Sequence, residues 1–243
     1  MDINCDLGES FGQYTIGNDS EVIRYIDSCN IACGFHAGDP MIMRKTIDLA
    51  LQHDVKIGAH PGYPDLAGFG RRHMELDHEE INSILLYQIG ALKAMTEALG
   101  GQLHHVKPHG ALYNAAAKDF ELAKQIAISI RSAGSNLIFV GQASSQMEKA
   151  AKDVGIPFFR EAFADRRYLT NGLLVPRSQE GAVIHDTSQA MKQVLQIANQ
   201  QTVTSIEGTE IPLSADTVCV HGDNANTLAF VIQLREKLNQ STV

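Results

Sequence analysis

The chain has 243 residues, of which 44% are hydrophobic and 20% charged, and its formal net charge is −8. These values are ordinary for a globular protein, and we predict a single domain over residues 1–243. The acidic balance argues against a dedicated nucleic-acid-binding protein, which usually has a basic face. No run of about 18 apolar residues occurs, so we expect no membrane-spanning helix.

The N-terminal residues and the cysteines indicate a cytoplasmic protein. Residues 1–6, with the sequence MDINCD, have neither the positive leader nor the apolar run of a signal peptide. Cys5, Cys29, Cys33 and Cys219 form no C-x-x-C pair and are too sparse for a disulfide framework. We therefore expect them to be small buried side chains in a reducing compartment.

Seven short apolar runs have the length and composition of β-strands. They cover residues 2–7, 28–34, 55–59, 103–107, 136–141, 157–163 and 217–222. Helical periodicity follows most of these runs, and Asp39 and Asp77 are N-cap candidates for the first two helices. The other predicted helices cover 117–132, 142–154, 187–200 and 224–239.

Two segments depart from this alternation. Residues 164–186 are predicted to form a long polar loop that could act as a lid. Residues 202–216 indicate a small β-hairpin inserted before the last strand of the single domain.

Strands that alternate with helices predict βαβ units and a parallel sheet. Seven strands of similar length favour a (β/α) barrel of about seven parallel strands, with an open doubly wound sheet as the alternative. Polar residues at the carboxyl ends of six strands support the barrel, because that rim carries the active site in such folds. These residues are Asp6, Glu9, His36, Asp39, His60, Lys107, His109, Glu161, Asp165, His221 and Asp223.

Four of the histidines are flanked by glycine or proline, which let a ligand or backbone come close. His36, His60, His109 and His221 are therefore predicted to converge on one cavity, although each alone could be a structural histidine. Two arginine pairs could clamp a carboxylate or phosphate, although solvated arginines are commoner. The pairs are Arg71 with Arg72 and Arg166 with Arg167.

The sequence lacks a P-loop, a dinucleotide-binding fingerprint and a G-x-S-x-G nucleophile motif. The remaining Asp, His and Lys groups suit attack of water on a carbonyl, with a general base and a cation for the oxyanion. Lys107 is the candidate cation, and Asp6, His36 and His60 are the candidate ligands of a divalent metal. These residues by themselves predict a hydrolase acting on a small polar substrate.

Six sequence blocks together resemble the LamB/YcsF family over nearly the whole chain. They are DINCDLGESFG, NIACGFHAGDP, IGAHPGYPDLAGFGRR, VKPHGALYN, EAFADRRY and VCVHGDN. The resemblance implies a barrel of the glycoside hydrolase/deacetylase type. It also implies ATP-dependent cleavage of 5-oxo-L-proline to L-glutamate, with Mg²⁺ accompanying ATP, in cooperation with partner subunits B and C. A homo-oligomer is compatible with this assignment.

The implied chemistry assigns expected roles to the rim residues. The catalytic set is Asp6, His36, Lys107, His109, His221 and Asp223. The set expected to bind substrate or phosphate is Glu9, His60, Arg71, Arg72, Asp165, Arg166 and Arg167. The missing P-loop leaves open whether this chain or a partner binds ATP. The alternatives are a metal-dependent deacetylase or amidohydrolase and a non-catalytic substrate-binding subunit.

Overall fold

The computed structural model describes residues 1–221 and 227–240, without the side chains of residues 221, 227 and 240. Within these residues the chain forms nine strands. They are β1 (Asp2–Leu7), β2 (Ser28–Ala32), β3 (Lys56–His60), β4 (Leu103–Val106), β5 (Ile138–Gln142), β6 (Phe158–Phe163), β7 (Thr202–Thr204), β8 (Glu210–Pro212) and β9 (Thr217–His221). Seven parallel strands close a barrel in the order β1-β2-β3-β4-β5-β6-β9, with β9 pairing with β1. The predicted seven-stranded barrel is confirmed, and the open-sheet alternative is wrong.

Eight α-helices occur in the described part of the chain. They are α1 (Asp19–Val22), α2 (Pro40–Gln52), α3 (His78–Ala98), α4 (Gly110–Ala116), α5 (Phe120–Ala133), α6 (Gln146–Val154), α7 (Thr187–Gln200) and α8 (Thr227–Gln240). Asp39 caps α2 by accepting from Met41 N and Ile42 N, and Asp77 forms a capping box with Glu80 on α3. None of these helices combines the length and apolarity needed to cross a membrane.

Helices α1, α4, α5 and α6 differ from the sequence prediction. The short helices α1 and α4 were not predicted, because segments of 4 and 7 residues are too short to show a periodic pattern. Helix α5 begins at Phe120 because the Asp119 side chain accepts from the first backbone N–H groups. Residues 138–142 form β5, so Gln142 does not begin a helix as predicted. Helix α6 begins at Gln146, after its N-cap Ser145.

The barrel strands bury both of their faces. Ile3, Cys5 and Leu7 of β1 belong to the apolar core, whereas Asn4 and Asp6 contact residues of other strands in the barrel interior. Because successive strand side chains point to opposite faces, this alternation separates an apolar outer layer from a polar lumen.

The lumen of the barrel is filled by a hydrogen-bonded network. Asn4 Nδ2 donates to Thr217 Oγ1 at 2.8 Å. Asn30 Nδ2 donates to Asn4 Oδ1 at 2.8 Å and to Asp6 Oδ1 at 2.9 Å. His105 Nε2 donates to Asn30 Oδ1 at 2.8 Å. Each of these side chains is buried, so the network satisfies polar groups that would otherwise be costly to bury.

Outside the barrel, β7 and β8 form an antiparallel pair in which Val203 lies opposite Ile211. The segment between β6 and α7 has no helix but is tied down by two isolated bridges, Arg166 with Val183 and Tyr168 with Leu174. The buried Tyr168 hydroxyl accepts from Phe163 N at 2.8 Å. These contacts hold the segment against the end of β6, next to the barrel rim.

Gly58 of β3 gives a test of lumen packing. A Cβ at this position would overlap the buried imidazole of His105, which its hydrogen bond to Asn30 holds in place. We expect Gly58→Ala to lower the free energy of unfolding by about 1–3 kcal/mol, measured by urea denaturation. The matched control is Gly90→Ala in α3, where no atom beyond its chain neighbours and its own helix backbone lies within 4 Å of the new Cβ. The control should raise stability by up to about 1 kcal/mol; equal effects of the two changes would contradict this packing.

Candidate active site

A cavity of about 610 Å³ opens at the carboxyl ends of the barrel strands. Asp6 from β1, His60 from β3 and the segment after β4 lie at its inner end. The predicted site residues that line the cavity are Asp6, Glu9, His60, Arg71, Lys107, His109 and Arg166. The parallel strands therefore bring together side chains that are distant in sequence, as expected for the catalytic rim of a barrel.

Lys107 is a buried ammonium group held between two carboxylates. Its Nζ donates to Asp6 Oδ1 at 2.9 Å and to Asn4 Oδ1 at 3.2 Å, and it forms an ion pair with Glu161 Oε1 at 2.7 Å. Burial acts to lower the pKa of Lys107, but the negative charges of Asp6 and Glu161 outweigh it and the pKa lies well above its usual value. Lys107 is therefore protonated and directed at acceptors within the protein.

Glu161 was predicted to lie at the rim but was given no role in the predicted catalytic and binding sets. It lies near the end of β6, is fully buried, and forms an ion pair with Lys107, which lines the cavity. Burial, followed by the negative charge of Glu161, raises the pKa of Tyr113, which lines the cavity. The available signal was a charged residue within the apolar run FFREAF, since a buried strand carries a carboxylate only where a partner neutralises it.

Three buried histidines form a contiguous group beside Asp6. His60 Nδ1 donates to the Lys107 carbonyl oxygen at 2.7 Å, and His109 Nε2 donates to the Phe69 carbonyl oxygen at 2.8 Å. The two inner nitrogens, His60 Nε2 and His109 Nδ1, face each other at 3.0 Å. The His36 ring stacks on His109 with centroids 3.7 Å apart. The predicted convergence is thus observed for three of the four histidines.

Two of the three histidines, His36 and His109, have surroundings that favour the neutral imidazole. Burial lowers the pKa of His36 well below its usual value, and neighbouring His109 and His60 lower it further. Burial also lowers the pKa of His109, to about 3, with a further contribution from His60. Neutral imidazoles retain a nitrogen lone pair, which can accept a proton or bind a metal.

A possible metal-binding group is present at this position. Ligand atoms of Glu9, His36, His60 and His109 all lie within 4.8 Å of one another. Two of the three predicted ligands, His36 and His60, belong to this group. Asp6 is not among the four, although its Oδ2 lies 3.3 Å from His60 Nε2. Glu9 and His109 were assigned other roles because sequence spacing does not show which side chains meet.

The GFGRR loop, residues 68–72, positions the histidines through its backbone. Phe69 has a left-handed conformation with φ of 55°, and its carbonyl accepts from His109. A Cβ on Gly70 would come within 2.8 Å of both His109 and His36. The Arg71 guanidinium lies 5.0 Å from the Phe69 ring centroid and lines the cavity, whereas Arg72 pairs with Asp65 and does not line it.

The second arginine pair divides in the same way. Arg166 is 3% exposed, donates from Nη2 to the Val175 carbonyl oxygen at 2.7 Å, and its Nε has no partner. Burial, reinforced by Arg177, lowers the pKa of Arg166 to about 10. Arg167 instead donates to Gln189 at 3.1 Å, and neither Arg167 nor Asp165 lines the cavity.

Two cationic residues lining the cavity, Lys118 and Arg177, were missed by the sequence analysis. They lie outside the strand ends, after α4 and in the 164–186 segment, where position alone gives no signal. Two predicted site residues are untested by the geometry. His221 is the last residue of β9, but its side chain and the whole of Asp223 lie outside the described residues.

Comparisons with known proteins agree over the full length of the chain. The LamB/YcsF family model matches residues 1–243. A Brevibacillus brevis protein, named as the A subunit of 5-oxoprolinase, is 50% identical over 239 residues, which cover 98% of this chain and 94% of that protein. A Campylobacter jejuni protein of the same name is 49% identical and covers 100% and 95%. The crystal structure of a lactam utilization protein from Thermus thermophilus has a TM-score of 0.93 at 42% identity, covering 100% and 97%.

The lowered pKa of His109 predicts a pH dependence of stability. The pKa of His109 is 6.5 in the unfolded chain and about 3 in the folded chain. In metal-free protein at a pH between these two values, the unfolded chain therefore binds a proton that the folded chain does not. The free energy of unfolding should therefore fall as pH decreases through this range, with about 1.4 kcal/mol per pH unit as the limit for one group. His109→Gln should make the slope shallower in urea denaturation at pH 4.5–6.5. His53→Gln, at an exposed histidine, is the matched control; identical slopes for His109→Gln and the natural chain would contradict the assignment.

Proposed function

Because this chain belongs to the LamB/YcsF family, we propose that it opens the lactam ring of 5-oxo-L-proline to give L-glutamate, as the A subunit of an ATP-dependent 5-oxoprolinase. Relatives at about 50% identity over nearly their whole length carry that name. The observation that carries the proposal is the convergence of Asp6, His60, Lys107 and His109 at the inner end of one cavity. Such a group supplies a base and proton carriers for hydrolysis of an amide.

The reaction breaks the lactam C–N bond, and water supplies a hydroxyl to the carbonyl carbon and a proton to the nitrogen. An amide resists this attack, and phosphorylation of its oxygen by ATP would make the carbon electrophilic. Asp6 is well placed as the base that activates water. Its Oδ1 is held by Asn30 and Lys107, while Oδ2 lies beside His60.

Lys107 is proposed as a positioning residue. The sequence suggested a cation for the oxyanion, but the ammonium is already directed at Asp6, Asn4 and Glu161. Its ion pair fixes the orientation of the Asp6 carboxylate. Stabilisation of developing negative charge then falls to another donor that lines the cavity, such as Arg71.

Arg166 is the proposed receptor for the substrate carboxylate. Its guanidinium is buried and its Nε is without a protein partner, a state that a bound anion would relieve. Arg71, Lys118 and Arg177 add positive charge around the same cavity. A phosphoryl group would be bound by the same chemistry, so these side chains suit both 5-oxoproline and a phosphorylated intermediate.

ATP, Mg²⁺ and the partner subunits B and C complete the proposal. The chain has no P-loop, so we assign the hydrolytic half-reaction to this barrel and the activation step to the assembled subunits.

The cysteines support a cytoplasmic location for the proposed enzyme. Cys5, Cys29, Cys33 and Cys219 are all free and buried, which accords with a reducing cytoplasm.

A second candidate, a metal-dependent deacetylase or amidohydrolase, is favoured by one observation, the group of Glu9 and three histidines. Amide hydrolysis that requires tightly bound metal and no ATP would select it. A non-catalytic binding subunit would instead bind 5-oxoproline and tolerate loss of Asp6 in the reconstituted enzyme.

Reconstitution tests the function directly. The purified chain is mixed with 5-oxoproline and ATP, with and without subunits B and C, and glutamate and ADP are measured. We expect coupled release of both products only in the complete mixture. Release by this chain alone would refute its dependence on partners, and no release in the complete mixture would refute the function.

Arg166 and Arg167 provide a matched pair of adjacent variants. Arg166→Lys removes the planar guanidinium from the cavity and should raise KM for 5-oxoproline by roughly 10–100-fold, the loss expected for a charge-assisted hydrogen bond of about 1.5–3 kcal/mol. Arg167→Lys should leave KM unchanged, because Arg167 contacts Gln189 outside the cavity. Steady-state kinetics of the complete enzyme measure both, and an unchanged KM for Arg166→Lys would exclude Arg166 from substrate binding.

A further inference from the structure

The buried histidines at the inner end of the cavity do not satisfy all of one another's hydrogen-bonding nitrogens. A carbonyl oxygen can only accept, so His60 must carry its proton on Nδ1, toward Lys107 O, and His109 must carry its proton on Nε2, toward Phe69 O. In neutral rings the inner nitrogens then have lone pairs only. These two nitrogens nevertheless face each other at 3.0 Å, where two acceptors repel unless a cation lies between them.

Other acceptors surround the same point. Asp6 Oδ2 lies 3.3 Å from His60 Nε2, and a carboxylate oxygen of Glu9 lies within 4.8 Å of the three histidine ligand atoms. His36 is fully buried, and neither of its ring nitrogens has a hydrogen-bond partner. One proton shared between His60 and His109 would satisfy that pair, but it would leave both nitrogens of His36 unsatisfied.

We propose that Glu9, His36, His60 and His109 bind a transition-metal ion of the Zn²⁺ or Co²⁺ type. Three imidazoles and one carboxylate form a donor set that suits these ions, whereas Mg²⁺ prefers oxygen ligands. The four ligand atoms lie within 4.8 Å of one another, and a tetrahedral site with bonds of about 2.1 Å would bring them to separations of about 3.4 Å. This inference concerns metal binding and does not depend on the reaction proposed above.

The hydrogen bonds that orient the ligands match those found around metal ions in proteins. Metal-binding histidines usually donate their second N–H to a carbonyl or carboxylate, which fixes the tautomer and the ring plane. His60 and His109 both do so here, through Lys107 O and Phe69 O. Phe69 presents its carbonyl from a left-handed backbone conformation, and Gly70 leaves room for His36 and His109. A bound ion would supply a Lewis acid beside Asp6.

Metal binding can be measured without substrate, ATP or partner subunits. Chelator-treated protein is titrated with Zn²⁺, Co²⁺ or Mg²⁺ in a calorimeter, and the Co²⁺ complex is examined by visible absorption. We expect one Zn²⁺ or Co²⁺ per chain, the visible bands of a low-coordinate Co²⁺ site, and no comparable Mg²⁺ binding. Failure of the 5-oxoproline reaction would leave this result intact, and the reverse also holds.

Variants assign the ligands. His36→Ala and His109→Ala should weaken Zn²⁺ binding at least about 100-fold, at the upper end of the loss seen for changes around metal sites. His53→Gln and His104→Gln are controls for adventitious binding, since these residues lie outside the group. Should the core variants fold poorly, Glu9→Gln changes a ligand on a rim loop and should also weaken binding. The proposal is overturned if the natural chain binds no stoichiometric Zn²⁺ or if the ligand variants bind it as tightly as the controls do.

Discussion

The ion pair of Lys107 with Asp6 and Glu161 is the constraint on which the site depends. It joins β1, β6 and the end of β4 across the barrel. Two buried carboxylates would repel each other and lose hydration without a cation between them, so the three side chains are stable only together. The same residue also uses its backbone, since the Lys107 carbonyl fixes the His60 ring. The orientations of the Asp6 carboxylate and of the neighbouring His60 imidazole are thus both set by Lys107.

The remaining parts of the site are held by the loops that follow the strands. The GFGRR loop fixes His109 through a backbone carbonyl, and the segment after β6 holds Arg166 through the Val175 carbonyl. Gln193 of α7 donates to the carbonyl oxygens of Phe163 and Arg166, at 2.8 and 2.9 Å. The side chains at the cavity are therefore oriented by neighbouring backbone groups, which is the arrangement that keeps a reactive group in one geometry.

The sequence was most informative about the topology of the fold and least informative about which side chains contact each other. Apolar runs and helical periodicity are local properties, so the seven barrel strands could be predicted. The carboxyl ends of parallel strands necessarily lie at one rim of the barrel, so the location of the rim residues could be predicted as well. Which member of an arginine pair faces inward depends on backbone direction in a loop, so Arg166 and Arg167 looked equivalent. Lys107 could be predicted as a rim cation, but its partner Glu161 comes from a strand more than fifty positions away. Contacts of this kind exist only after folding.

The polar lumen has a consequence for how this protein can vary. An apolar barrel interior is governed mainly by volume, so one aliphatic residue can often replace another. The interior here is governed by complementarity of donors and acceptors, in which Asn30 alone serves Asn4, Asp6 and His105. A single replacement leaves a buried partner unmatched. Divergence or redesign of this interior should therefore proceed by coordinated exchanges of several positions at once.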